Sequence, residues 1–148
     1  MGTEALARET IEAFNRSDWE SIQTLADPRY VYTETGTGRR LDDIDATITA
    51  LQDWKIAFPD AHGEIVRLLH SDDVVAMEIR WTGRQTGPLA TPSGVLRPSD
   101  HEIDVWATVW QQWDGDKVVA ERHHLDMLTM LVQLEALAGP RVRESSRR

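Results

Sequence analysis

A change of period near Pro59 restricts the fold of this chain more than any other feature. Before it, apolar residues recur every three or four positions; after it, they alternate. Across residues 3–16, Leu6, Thr10, Ile11 and Phe14 fall along one helical face. Residues 17–20 (Ser17, Asp18, Trp19, Glu20) have the form of a capping box for a second, short helix, which Asp27-Pro28 ends. Residues 30–33 read as a strand and 35–38 as a loop. Asp42 or Asp43 then caps a third helix bearing Ile44, Ile48, Leu51, Trp54 and Phe58. Beyond Pro59, residues 63–70 and 74–82 read as two strands turned at 71–73, and 102–113 and 117–124 as a second pair around Asp-Gly. The proline-rich segment 87–99 between the pairs reads as a long connection or lid. A helix from Met127 to about Ala138 closes the pattern. Helices followed by a run of antiparallel strands predict an α+β fold, with helices on one side of a curved sheet.

A chain of 148 residues suits one domain, expected over 1–139, with the Arg-rich segment 140–148 expected to be a disordered tail. The absence of cysteine excludes disulfides, thiolate catalysis and Cys-ligated metals. A net charge of −9 would repel phosphate backbones, so nucleic acid is not an expected partner. No apolar run approaches the roughly 20 residues that span a bilayer, and no signal-peptide core is visible. The expected setting is therefore cytoplasmic, with no membrane partner. The five histidines are scattered apart from the adjacent His123 and His124, which point opposite ways on a regular strand; no metal site is expected.

The segment 117–134 carries the candidate chemistry. It begins as a strand and changes to helical spacing after Asp126. On an extended strand Arg122, His124 and Asp126 share one face, and Glu121, His123 and Leu125 the other. If the first face lines a cavity, it offers a carboxylate, an imidazole and a guanidinium. Asp126 then suits a general base, since burial raises the basicity of a carboxylate; otherwise it is the N-cap of the closing helix. His124 would orient Asp126 or share its proton, or else bond to backbone. Arg122 would hold a substrate carboxylate or enolate, or else pair with Glu78 or Glu102. Six tryptophans against two phenylalanines suggest an aromatic wall for a flat ligand, with Trp54, Trp81 and Trp110 as candidate linings, or plain core packing. Tyr32 and Glu34, near the end of the first strand, are candidates to meet ligand oxygens.

Residues 57–60 (Ala-Phe-Pro-Asp), 86–89 (Thr-Gly-Pro-Leu), 121–126 (Glu-Arg-His-His-Leu-Asp) and 131–134 (Leu-Val-Gln-Leu), in this order and spacing, resemble the SnoaL-like polyketide cyclase group of the NTF2-like superfamily. The resemblance spans roughly residues 4–138. It implies a cone of curved antiparallel or mixed sheet wrapped by N-terminal helices, with a C-terminal helix and a conical pocket. It also implies an acid/base carboxylate at the position of Asp126 and ring closure by intramolecular aldol condensation without metal or cofactor. The group's neighbouring imidazole corresponds to Gln111 here, so Asp126, His124 and Gln111 form the expected catalytic set. The expected partners are a small hydrophobic or polyketide-like ligand and a second copy of the chain, paired through outward strand faces. Two other readings fit the same pattern: a cofactor-free hydroxylase in which a substrate carbanion reacts with oxygen, and a non-catalytic small-molecule binder.

Overall fold

The computed structural model describes residues 2–137, so the expected tail at 140–148 lies outside the described residues. Helix α1 (Thr3–Asn15) buries Leu6, Ala7, Ile11, Ala13 and Phe14, the face that its periodicity predicts. Helix α2 (Trp19–Leu25) is capped by Asp18, which accepts from the Ser21 amide at 3.1 Å and the Ser21 hydroxyl at 2.6 Å. Ser17, expected as the cap, instead takes φ 59° in the turn between the helices. Its place in the box is lost because the chain reverses there rather than entering the helix.

Strand β1 (Ala26–Glu34) is longer than predicted, and a short strand β2 (Arg39–Leu41) forms where none was expected. Helix α3 (Ile44–Ala57) follows, with Asp43 accepting from the Ala46 amide at 2.7 Å as its cap. Then come β3 (His62–Ser71) and β4 (Val74–Arg84), a small hairpin β5 (Leu89–Thr91) and β6 (Gly94–Leu96) inside the proline-rich connection, and the long pair β7 (Glu102–Asp114) and β8 (Lys117–Leu125). Helix α4 (Met127–Gln133) is shorter than its hydrophobic repeat suggests.

Six strands form one sheet in the order β2-β1-β8-β7-β4-β3. All neighbours are antiparallel except β1 and β8, so the sheet is mixed. Register shifts occur in the β1–β8, β3–β4 and β7–β8 pairings. Such irregularities bend and twist a sheet, and here they help to close it around the helices. Along β7 every second residue from Ile103 to Trp113 is buried, which defines the inner face. Asn15 ties the end of α1 to the start of β3: its amide donates to the Gly63 carbonyl at 2.9 Å and accepts from the Gly63 N–H at 2.8 Å. Gly63 must be glycine, since a Cβ there would stand 2.7 Å from the Trp81 ring. Helix α3 stands further off; Ile44, Ile48, Leu51 and Trp54 are only half-buried, although they form its apolar face.

Candidate active site

The space between α1, α3 and the inner face of the sheet holds two adjoining cavities of about 50 and 60 Å³. Phe14, Tyr32, Leu51, Trp81 and His123 border both. The first extends toward Trp54, Phe58 and Met130 and is almost wholly apolar. The second extends toward Tyr30, Val118 and Glu121.

Packing explains the aromatic wall. Phe14 meets Trp81 edge-to-face with centroids 5.1 Å apart, and Trp54 stacks on Phe58 at 5.9 Å. Trp81 and His123 lie 6.2 Å apart with their rings tilted by 49°. Trp81 reaches this position because Gly63, its partner on β3, leaves room beneath it.

The polar groups come from β1 and β8. Their parallel register sets Tyr32 beside Glu121 and Glu34 beside His123, all on the inner face. The Tyr32 hydroxyl donates to Glu34 Oε2 at 2.7 Å, and Thr37 donates to Glu34 Oε1 at 2.7 Å. With its proton committed to Glu34, the Tyr32 oxygen is left to accept from His123 Nδ1, 3.0 Å away. Burial and the Glu34 carboxylate both push the Tyr32 pKa up, which keeps that proton in place. Burial also lowers the His123 pKa, so its imidazole is neutral near pH 7. A neutral ring that donates through Nδ1 presents a lone pair at Nε2.

His123 Nε2 and Trp81 Nε1 are both enclosed, and neither has a hydrogen-bond partner among the described residues. Unpaired polar atoms in an apolar setting are costly and point to a ligand. One is a proton acceptor and the other a donor, on two rings in tilted contact. This pair can remove a proton and hold the negative charge that develops.

A second network lies beside it. Glu121 accepts from Tyr30 Oη at 2.8 Å and from Gln111 Nε2 at 2.6 Å. Gln111 also bonds Thr10 and accepts from the Trp113 indole at 3.2 Å. Burial raises the Glu121 pKa, against the lowering effect of its two donors.

The structure divides the expected site residues between the two faces of the sheet. Trp54, Trp81 and Tyr32 line the cavities, and Glu34 supports Tyr32 from behind. Gln111 is fully buried and brackets Glu121, and it borders neither of the two inner cavities. Asp126, His124, Arg122 and Trp110 lie on the outer face and away from the two inner cavities; Asp126 and His124 border one open hollow there, and Arg122 and Trp110 another. Asp126 is the N-cap of α4: it accepts from the Thr129 amide at 3.1 Å and the Thr129 hydroxyl at 2.7 Å, and these bonds hold its pKa below the usual carboxylate range. His124 Nδ1 pairs with the Thr35 hydroxyl at 3.1 Å. Arg122 makes no ion pair among the described residues; Glu102 is taken by Arg84. Trp110 is 48% exposed.

Sequence reasoning missed His123 and Glu121, which occupy the inner face instead. The odd-numbered residues of β7 are the buried ones, and Val109 pairs with His123 and Gln111 with Glu121, so from Glu121 onward the odd positions of β8 turn inward as well; only the pairing of the two strands reveals this. Among the described residues no group of three or more His, Asp or Glu side chains is placed to hold a metal ion, and no helix is long and apolar enough to cross a membrane.

With this geometry established, comparisons with known proteins give a consistent answer. A model of the SnoaL-like polyketide cyclase family matches residues 4–134. Curated protein sequences give no match. Among solved structures, AclR, a candidate hydroxylase from Streptomyces galilaeus, superposes with a TM-score of 0.77 at 24% identity, over 94% of this chain and 85% of its own. IdmH, a candidate polyketide cyclase from Streptomyces antibioticus, gives 0.76 at 21%, over 89% and 97%. A protein of ketosteroid isomerase-like fold from Catenulispora acidiphila, solved with trimethylamine, gives 0.74 at 13%, over 90% and 95%. The architecture is thus the expected NTF2-like α+β cone.

Proposed function

The chain belongs to the SnoaL-like polyketide cyclase family, and on that premise we propose that it catalyses proton transfer next to a carbonyl of a small hydrophobic, polyketide-like compound, without a cofactor. One observation carries this reading: an imidazole nitrogen and an indole N–H, both without a partner among the described residues, enclosed in the same apolar cavity.

His123 Nε2 takes a proton from the carbon beside the carbonyl. The electron pair of that C–H bond moves onto the carbonyl oxygen, and Trp81 Nε1–H donates to the enolate oxygen. Tyr32 and Glu34 hold the tautomer of His123 and stabilise the imidazolium as it forms. In a ring closure, the enolate carbon then attacks a second carbonyl of the same molecule, and His123 returns its proton to the new alkoxide. If the proton returns to a different carbon, the outcome is isomerisation. No atom is gained or lost in either case. Asp126, the carboxylate expected for this role, is replaced in the proposal by His123.

Cavities of about 50 and 60 Å³ are smaller than the roughly 300–1,000 Å³ typical of ligand sites. A substrate of more than one ring would need Leu51 and Trp54 to move outward with α3, whose apolar face is only half-covered. The test is turnover of a β-dicarbonyl polyketide analogue by wild type and by His123→Gln. Loss of product with ligand binding retained supports the reading; an undiminished rate refutes it. Binding without turnover in the wild type would leave the non-catalytic binder.

The likeness to AclR favours a second reading, in which the same carbanion reacts with oxygen. Proton abstraction is common to both. Oxygen uptake stoichiometric with product separates them, since ring closure consumes none.

The outer face of β7 exposes Trp106 at 49% and Trp110 at 48%. Two large aromatic rings exposed on one face of a strand are costly in water, and we take this face as the surface through which two copies pair.

A further inference from the structure

The reaction just described uses His123, Trp81, Tyr32 and Glu34, and leaves Glu121 without a task. Yet Glu121 lines the second cavity, on the same strand face as His123 and two residues before it. Its bracket is unusually complete for a side chain with no partner of opposite charge. Tyr30 donates to one oxygen, Gln111 to the other, and Gln111 is itself fixed by Thr10 and Trp113. All these donors are neutral. Each carboxylate oxygen has lone pairs for about two hydrogen bonds and receives one here, so each can take one more. Thr10 also lines that end, but its hydroxyl already donates to the Ala7 carbonyl and accepts from Gln111; Ile11, Val109 and Val118 beside it are aliphatic and offer no hydrogen bond.

We propose that Glu121 and Tyr30 form a second, specificity-determining subsite, which accepts a hydroxyl on the substrate's far end while the reacting carbonyl lies at Trp81 and His123. The proposal rests on the reading of His123 and Trp81 as the reacting end. Residues i and i+2 of a strand are about 7 Å apart, which sets the spacing between the two polar groups of the ligand. This is the span of one six-membered ring with a substituent at each end. The substrate class is accordingly a ketone bearing a phenolic or enolic hydroxyl across a ring, held in line along β8. A hydroxyl suits Glu121 better than an ammonium group does, because the aliphatic lining would leave an ammonium's remaining protons unpaired.

A matched pair of small probes tests this: acetophenone and 4-hydroxyacetophenone, which differ only in the far hydroxyl. Binding is followed by NMR on the Trp81 indole N–H, at a pH where the phenol is neutral. Wild type is expected to bind the hydroxylated ketone about 10–100-fold more tightly, the range for one added hydrogen bond to a charged group. Glu121→Gln, which keeps the shape, should reduce the preference to within about threefold. Equal affinities in wild type overturn the subsite, as does a preference that survives in Glu121→Gln. The acetophenone arm keeps the two proposals apart: if it shifts Trp81 and His123 signals without any hydroxyl preference, only the subsite fails. If neither probe shifts Trp81, the reading of the reacting end fails with it.

Discussion

The two faces of β8 carry nearly the same functional groups in opposite surroundings. The inner face offers Glu121 and His123; the outer face offers His124, and Asp126 just past its end. His123 and His124 are adjacent in the chain, yet one is enclosed with its pKa lowered by burial, while the other is exposed and pairs with a surface threonine. The carboxylates contrast in the other direction: burial raises Glu121, whereas hydrogen bonds from Thr129 lower the exposed Asp126. The comparison shows that residue type does not assign chemistry here. Desolvation and hydrogen-bond geometry do, and both follow from which way a side chain points.

The sharpest way to break the comparison is to remove each imidazole in turn. His123→Gln should lower turnover by roughly 10²–10⁴, the contribution of a positioned acid/base. His124→Gln should leave the rate within about twofold. Equal losses in both variants would dissolve the distinction between the faces.

Acid should act next most strongly, and through the inner face alone. The base form of His123 is the neutral one, and its pKa lies below that of an ordinary histidine. The rate should therefore hold as pH falls through about 6.5, and drop by about tenfold per unit only below the lowered pKa. The folded protein resists protonation of His123 while the unfolded chain accepts it. Stability should thus decline between the ordinary and the lowered pKa as pH falls, and recover in His123→Gln. A rate profile that breaks above pH 6.5 would contradict this assignment.

The outer face yields smaller effects. Replacing Trp106 and Trp110 together with serine should halve the mass seen by light scattering at micromolar concentration, with secondary structure retained. A wild type that already runs as a monomer would remove that proposal. At Asp126, Ala should cost about 0.5–2 kcal/mol of stability through the lost cap, read from denaturant unfolding, whereas Asn should melt close to wild type because it caps about as well. Both variants should turn over normally. A large rate loss in Asp126→Asn would restore the carboxylate as the base and displace His123.

Much of the architecture was legible in the residues themselves. The helical faces of α1 and α3, the caps at Asp43 and Asp126, and the hairpin at Asp114-Gly115-Asp116 are local features, each set by residues within one or two turns of chain. The strand alternation that placed Tyr32 and Glu34 together was equally plain, as was the closing strand-to-helix change that carries the family resemblance. What the chain could not declare was the face of β8. Counted in twos from the buried Val118, the inward residues would be Ala120, Arg122, His124 and Asp126. A register shift between Gln112 and Trp113 pairs Val118 with Trp113 but Ala120 with Gln112, leaving Val119 as an extra residue on β8. One added residue in a strand of period two sends every later side chain to the opposite face. That bulge exists only in the pairing of β8 with β7. The distinction between an enclosed histidine and a surface one was therefore decided by tertiary structure, because it depends on a partner strand's register and not on any property of the strand alone.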